Sequence, residues 1–267
     1  MFNKKFINLE TREHIMEKRG QATLFIILGI VLVILVILYF VLVQQDIIPP
    51  LLASNDASSQ MSQVNEHVQG CLATIGNQYA TQIAMQGGYL SPSTDTYRLY
   101  NDTSVSYLCW NQVGLSTCTN RLLTVSHMEE DLRAAIEDSL QTCINVYDVS
   151  NDVTAADQWD LTVDIQRDSV DLSLYYPVTV DDGDNVVSQD TFSESLDLPL
   201  GELYDVSQDI VNDHAVLGDF EQLTYMLSKL SRYTIYKYKP YPDVLYQVRL
   251  REGTYVFQFA IQGEENV

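Results

Sequence analysis

The chain has 267 residues, with 36 Asp and Glu against 15 Lys and Arg, and its formal net charge is −21 at pH 7. A protein this acidic repels phosphate groups, which excludes nucleic acid as a partner. The charge is unevenly placed: residues 1–20 hold five basic and three acidic side chains, a net of +2, so residues 21–267 have a net of −23. Such dense carboxylates favour solubility or the binding of metal cations, and they are also typical of proteins from a salty habitat.

Residues 22–43 form one apolar run without a charged side chain. At about 1.5 Å per helical residue, such a run spans the roughly 30 Å hydrocarbon core of a bilayer. We therefore expect residues 21–44 to be a transmembrane helix that binds the lipid bilayer through residues 22–43. The basic residues 1–20 are then a cytoplasmic leader and residues 46–267 are extracytoplasmic, because basic flanks remain inside. The alternative is a cleavable secretory signal, whose apolar core would be only about 7–15 residues long.

The residues that lead into this helix are Lys18-Arg19-Gly20-Gln21, a basic pair followed by Gly and Gln. This pattern resembles the class III signal of archaeal type IV pilin-like proteins, in which a membrane peptidase cuts after the Gly. The resemblance implies that Gly20 is the last leader residue and Gln21 the first mature one, with Thr23 in the place of the usual Ser. Phe25 departs from the pattern, because the fifth mature residue of pilins is usually a Glu that registers neighbouring subunits.

A looser resemblance covers more of the chain. Besides the Gly-Gln pair, several segments are similar to those of a group of uncharacterised archaeal single-pass surface proteins: Cys71-Leu72, Gln86-Gly87-Gly88-Tyr89, Leu140 to Cys143, Tyr175-Tyr176-Pro177 and residues 255–260. The resemblance implies a location and a layout, and it implies no activity.

Residues 45–57 are predicted to be a linker. Pro49-Pro50 ends the apolar helix, because proline supplies no backbone N–H and clashes with the preceding turn. Beyond the linker, apolar residues at steps of three and four predict a helix over residues 58–86. Gly87-Gly88 ends that helix, since Gly is the usual residue just past a helix.

A second helix is predicted over residues 127–146, opened by the capping-box pattern Ser126-His127-Met128-Glu129. All four cysteines follow the apolar run, on the side where disulfides persist, and they allow three pairings. We favour Cys71–Cys143, because both residues lie on the apolar stripes of the two helices. The second pair is then Cys109–Cys118, which flanks a predicted hairpin of strands near 97–100 and 104–110. The alternative is that some of the four are free buried thiols.

Alternating apolar and polar residues predict strands in the second half of the chain. Residues 159–165 and 170–176 alternate on both sides of a turn, as expected for a hairpin with one buried face. A further turn at residues 181–185 leads into a strand that ends near Pro199. The chain closes with two strands, residues 244–250 and 255–261.

One or two helices are predicted between those strands, over residues 201–214 and 219–231. Three residues of the first segment are predicted to face the core: Leu203, Val206 and Ile210. Three leucines of the second segment are predicted to do the same: Leu223, Leu227 and Leu230. Antiparallel hairpins with segregated helices indicate an α+β fold rather than a parallel nucleotide-binding fold. Residues 58–267 are expected to be one domain, or two halves that divide near residues 150–157.

The best candidates for metal ligands are Asp181, Asp182 and Asp184. Calcium takes about six to eight oxygen ligands, and carboxylates beside a Gly turn supply several of them. EF-hand spacing is absent and Asp-Gly is common in hairpin turns, so we favour a turn over a calcium site. Asn101-Asp102-Thr103 matches the acceptor pattern for N-glycosylation.

No catalytic or cofactor-binding residue is predicted. The sequence lacks the GxSxG, HExxH and P-loop patterns, and it has no CxxC pair for zinc. His127 and His214 each lie near Asp or Glu, but nothing in the sequence places a Ser or Cys beside them. A surface or capping role is therefore favoured for both histidines.

These features predict a single-pass, non-enzymatic surface protein with a binding or envelope-structural role. Its expected partners are the bilayer and an unidentified protein or envelope component, and a second copy of the chain through the membrane helix is a further candidate. One alternative is a type IV pilin-like filament or pseudopilin subunit. Another is an ectoenzyme without a recognisable motif.

Overall fold

The computed structural model describes residues 28–34, 56–111 and 117–263, within two compact units, Met1–Ser54 and Asn55–Val267. In the first unit, residues 28–34 are helical and exposed. The leader with Gly20 and Gln21, residues 45–55 of the predicted linker and the rest of the predicted membrane helix lie outside the described residues, whereas Asp56 and Ala57 begin the first helix of the second unit. Within the described ranges, no helix combines the length and the apolar character that crossing a bilayer requires.

The second unit is α+β, as predicted. Its helices are α1 (Ala57–Met85), α2 (Val125–Leu140), α3 (Leu200–Leu217) and α4 (Gln222–Ser228), with a 3-10 turn at Val146–Asp148. Its strands are β1 (Tyr97–Tyr100), β2 (Thr103–Trp110), β3 (Thr119–Asn120), β4 (Val153–Ala155), β5 (Asp160–Ile165), β6 (Val170–Asp181), β7 (Val186–Leu196), β8 (Tyr233–Tyr238), β9 (Val244–Leu250) and β10 (Phe257–Ile261). Among the described strands, all pairs are antiparallel except β2 with β10, which are parallel neighbours far apart in the chain.

Two sheets build the unit. The first has the strand order β1-β2-β10-β9-β8, with β3 also paired to β2. In the second, β7 pairs with β6 along both halves of β6, so the other edge of β6 is shared by β4 and β5. β4 pairs with residues 178–180 and β5 with residues 170–175, and residues 156–159 therefore loop out between them. β6 is irregular at the same level, between Tyr175 and Val178.

Helix α1 lies against both sheets. The Asp56 carboxylate caps it by accepting a hydrogen bond from the Ser59 N–H at 3.0 Å, and Gly87 and Gly88 end it with φ angles of 73° and 89°. Its buried stripe packs on β6, β7 and α2, and it also contacts β10. The prediction of a helix over residues 58–86 is confirmed to within one residue at each end.

Helix α2 begins two residues earlier than predicted and ends at Leu140, six residues before the predicted end. The N-cap is Thr124 rather than Ser126, and its hydroxyl accepts a hydrogen bond from the His127 N–H at 3.3 Å. Glu129 does not close a capping box. Its carboxylate instead accepts a hydrogen bond from the Ile165 N–H at 2.9 Å, which fastens α2 to the end of β5.

Both disulfides join the cysteines that the sequence analysis paired, Cys71–Cys143 and Cys109–Cys118, with Cα–Cα distances of 5.9 and 5.3 Å. Cys143 does not lie on a helical stripe, because α2 ends at Leu140. Its N–H donates to the Leu140 carbonyl at 2.9 Å, in the tighter i+3 pattern of a helix terminus. The first disulfide thus ties α1 to the turn after α2, and the second ties β2 to the segment before β3.

Helix α4 presents its leucines to solvent, so the predicted inward stripe is wrong. Three leucines are 64, 73 and 92% exposed: Leu223, Leu227 and Leu230. The inner side is formed by Met226 and by Tyr225, whose ring lies 5.3 Å from the Phe220 ring. The helical period on which the prediction depended ends at Ser228, and Leu230 has a left-handed φ of 53°.

A buried carboxylate joins α3 to both sheets. Glu202, in the first turn of α3, is 1% exposed. It accepts hydrogen bonds from Arg232 at 2.5 and 2.6 Å, from the Tyr233 hydroxyl at 2.7 Å and from Arg167 at 3.1 Å. Arg232 is the main reason that the pKa of Glu202 falls to about 2, against the opposing effect of burial. Because Arg167 belongs to the β5–β6 turn and Arg232 precedes β8, one ionised side chain holds α3 to both sheets.

Two glycines of this unit should respond in opposite directions to the same substitution. A Cβ at Gly201 would lie 2.4 Å from the Gln166 carbonyl oxygen. A backbone atom cannot rotate away, so we expect Gly201→Ala to lower the free energy of unfolding by about 1–3 kcal/mol. A Cβ at Gly70, on the exposed side of α1, would meet nothing within 4 Å. Because Ala favours a helix more than Gly does, Gly70→Ala should raise the free energy of unfolding by about 0.5–1 kcal/mol. Urea unfolding measures both changes, and a loss in both variants would contradict the packing argument.

Candidate functional site

A groove with a volume of about 870 Å³ opens where the edge of the second sheet is interrupted. Residues 156–159, which loop out between β4 and β5, form one wall. The end of α2 and the 3-10 turn at Val146–Asp148 form the opposite wall. The buried side chains of Ile144 and Tyr176 also line the groove. We call this cavity the Trp159 groove, after the residue at the end of the loop.

The side chains that line the Trp159 groove in the described part of the chain are acidic or neutral. Glu137, from α2, is bound by Arg133, whose Nη1 lies 2.9 Å from both carboxylate oxygens. Asp148 and Asp157 form no hydrogen bond or ion pair through their carboxylates with any described residue. Neutral polar side chains complete the lining: Gln141, Thr142, Asn145 and Gln158.

Two aromatic side chains add an apolar face to the groove. Tyr176, on β6, is 7% exposed, and its ring centroid lies 6.4 Å from that of Phe192. Its hydroxyl has no hydrogen-bond partner among the described residues, and its pKa is raised, first by burial and then by the nearby Tyr147. Because the Tyr176 ring is buried, its hydroxyl end is the part that reaches the groove. Trp159 is partly exposed and also packs against the core.

The groove can therefore bind a ligand by hydrogen bonds, by negative charge and by contact with an aromatic face. Its described lining contains no Ser, Cys, His or Lys side chain from which a nucleophile and its base could be assembled.

His214 lies beside a second cavity, of about 360 Å³, and it is buried rather than at the surface as the sequence suggested. Its Nε2 lies 2.8 Å from the Tyr246 hydroxyl. Burial lowers the pKa of His214 to about 4, although Asp219 opposes the shift. Cys118, which also lines this cavity, is held in a disulfide. The imidazole therefore packs and hydrogen-bonds within the core and has no thiol there to activate.

We expect His214 to make the folded state less stable as the pH falls from 6.5 to about 4. The unfolded chain binds a proton at this residue near pH 6.5, whereas the folded chain does so only near pH 4, so acid favours unfolding in that window. The full difference corresponds to roughly 3 kcal/mol. Urea unfolding across this pH window should show that the free energy of unfolding depends less steeply on pH in His214→Gln than in the wild type. Parallel profiles for wild type and His214→Gln would refute this.

The predicted metal ligands serve as turn and cap residues. Asp182 accepts hydrogen bonds from the N–H groups of Asp184 and Asn185 at 2.9 and 2.7 Å, and from the Ala57 N–H at 2.7 Å. Those backbone bonds lower the pKa of Asp182, and Asp181 accepts from the Gly183 N–H at 2.9 Å. In the described part of the chain, no group of three or more His, Cys, Asp or Glu residues is arranged to hold a metal ion. The turn thus fastens the start of α1 to the β6–β7 hairpin.

Asn101 lies in the exposed turn between β1 and β2. Asn101 and Asp102 both have left-handed φ angles, 47° and 61°, which suit Asn and Asp in a two-residue hairpin turn. Glycosylation of this accessible side chain stays a prediction.

Comparison with known protein families, with curated proteins and with solved structures finds no match for this chain. The groove was also missed by the sequence analysis, which treated Trp159 only as the first residue of a strand. A signal was present: the alternation of β5 begins at Trp159, and the preceding residues 156–158 break it. That break marks the loop, but it does not show what lies opposite.

Proposed function

We propose that the chain is a single-pass, membrane-anchored, non-enzymatic extracytoplasmic protein whose unit Asn55–Val267 binds a partner or an envelope component. The observation that carries the proposal is the pair of disulfides in that unit, where all four cysteines are joined. Such bonds persist outside the cytoplasm and are rare within it.

The sequence before this unit supports the anchor. Residues 22–43 carry no charge, Lys18 and Arg19 precede them, and no basic residue follows until Arg98. This asymmetry favours an N-terminus inside the cell and the disulfide-bonded unit outside. A net charge of −23 over residues 21–267 suits a unit that stays in solution beside the bilayer.

The Trp159 groove supports a binding role. Its open shape, its unpaired carboxylates and its aromatic lining are means of holding a ligand. A binding role therefore accounts for the groove without invoking a reaction.

Membrane extraction and protease protection test this proposal. We expect the full chain to remain in the membrane pellet after an alkaline carbonate wash, and protease added to intact cells to remove a tag placed after Val267. A maleimide mass tag should react with the cysteines only after reduction. Recovery of the intact chain in the carbonate supernatant would contradict the anchor, and a protease-resistant tag would contradict the orientation.

A second candidate function, a pilin-like subunit, is favoured by Gly20-Gln21 alone. N-terminal sequencing of the protein from native membranes tests the processing step that this candidate requires. A mature chain that begins at Gln21 would support it, and electron microscopy of the same membranes should then show fibres. A chain that begins at Met1 would remove it.

A further inference from the structure

We propose that the Trp159 groove binds an organic ammonium group, carried by a free polyamine or by a Lys side chain of a partner protein. This inference deepens the proposed function, on which it rests for access to such a ligand. Three features of the groove carry it: unpaired negative charge, an aromatic ring without a cation, and the hydroxyl of a largely buried tyrosine that has no hydrogen bond to any described residue.

The negative charge of the groove has no counter-charge from the described residues. Asp148 and Asp157 have no ionic partner there, whereas Asp219, beside the second cavity, is held by Lys237 at 2.5 Å. Carboxylates on a concave surface concentrate negative potential, which attracts cations and repels anions. The charge therefore selects a cationic ligand.

Trp159 lacks the cation that comparable rings of this protein have. Arg121 lies 5.6 Å from the centroid of the Trp110 ring, and Lys229 lies 5.3 Å from that of Tyr225. No Lys or Arg of the described residues lies over Trp159 in this way. Because the quadrupole of an aromatic ring attracts a cation placed over its face, a ligand ammonium fits the vacant face of Trp159.

The Tyr176 hydroxyl supplies the third feature. Tyr176 is 7% exposed and lines the groove, and its hydroxyl has no hydrogen-bond partner among the described residues. Its oxygen can accept an N–H donor, and an ammonium offers three such donors. A neutral sugar could satisfy the hydroxyl but would leave Asp148 and Asp157 without a counter-charge. An organic ammonium matches all three features together.

Titration of the full chain in detergent with two probes tests the proposal. The probes are spermidine, for a free polyamine, and Nα-acetyllysine methylamide, for a side chain. Trp110→Phe leaves Trp159 as the fluorescence reporter, since the chain has two tryptophans, and calorimetry gives the stoichiometry. We expect saturable binding at one site, weakened at least tenfold in Asp148→Asn/Asp157→Asn and several-fold in Tyr176→Phe, which keeps the ring. Whichever probe binds more tightly identifies the source.

The matched control is Asp102→Asn/Asp190→Asn, which removes the same charge from exposed positions outside the groove. It should leave the affinity within twofold of wild type, and thermal unfolding of each variant shows that it is folded. Absence of saturable binding, an equal loss in the control pair, or preferential binding of a neutral sugar such as maltose would overturn the proposal. Because this assay needs no membrane, its failure is distinguishable from failure of the carbonate and protease tests.

Discussion

Arg232→Met is expected to lower the free energy of unfolding by about 1–3 kcal/mol at neutral pH, because it removes the main partner of the buried, ionised Glu202, although Arg232 itself is 56% exposed. Glu202 is 1% exposed, and Arg232 donates two hydrogen bonds to it, at 2.5 and 2.6 Å. Arg167, at 3.1 Å, is 64% exposed and remains as a weaker partner. Urea unfolding followed by circular dichroism measures the loss.

The pH dependence of this effect follows from the lowered pKa of Glu202. That pKa is about 2 in the folded protein against 4.5 for a free carboxyl, so its contribution to stability is complete above pH 4.5 and is lost as the pH falls to 2. The difference between wild type and Arg232→Met should therefore shrink over that range. A difference that stays constant between pH 7 and 2 would show that charge is not its cause.

Two further variants separate charge from packing. Glu202→Gln/Arg232→Met removes the buried charge as well as its partner, so it should be more stable than Arg232→Met alone. Arg133→Met removes an arginine whose pair with Glu137 is partly exposed, 39% and 26%, and it should cost less than about 1 kcal/mol. Equal losses in Arg133→Met and Arg232→Met would contradict the special position of Glu202.

Removal of the Cys71–Cys143 disulfide in Cys71→Ala/Cys143→Ala should lower the free energy of unfolding by about 4 kcal/mol. The bond restrains the unfolded chain over a sequence separation of 72, against 9 for Cys109–Cys118. Because the entropy of loop closure rises with the logarithm of loop length, Cys109→Ala/Cys118→Ala should cost less, about 2–3 kcal/mol. Denaturant unfolding without reductant compares the two pairs.

Reduction of the wild-type protein is the control for these cysteine variants. A reductant should destabilise wild type by more than either double variant loses, because it opens both bonds. It should leave a variant that lacks all four cysteines unchanged. A greater loss from the Cys109–Cys118 pair than from the Cys71–Cys143 pair would refute the loop-length argument.

The periodic spacing of apolar residues along the sequence predicted many of the helices and strands. The apolar stripe and Gly87-Gly88 predicted α1 to within one residue at each end, and the alternation around residues 166–169 predicted the β5–β6 hairpin. The sequence also paired Cys71 with Cys143 correctly, although only Cys71 lies on a helical stripe. The periodicity failed at α4, where Tyr225 packs on Phe220 and the leucines of the other side remain exposed.

The amino-acid sequence by itself determined the α+β class and its principal helices and hairpins, because helical and strand periods act over neighbouring residues. Only the tertiary structure decided what distant segments do together. The Ala57 N–H meets Asp182 across 125 residues, Glu202 joins Arg167 and Arg232, and β10 lies parallel to β2. The Trp159 groove is also formed by distant segments, since its walls come from separate elements. No local period specifies such contacts, because they depend on how the whole core closes.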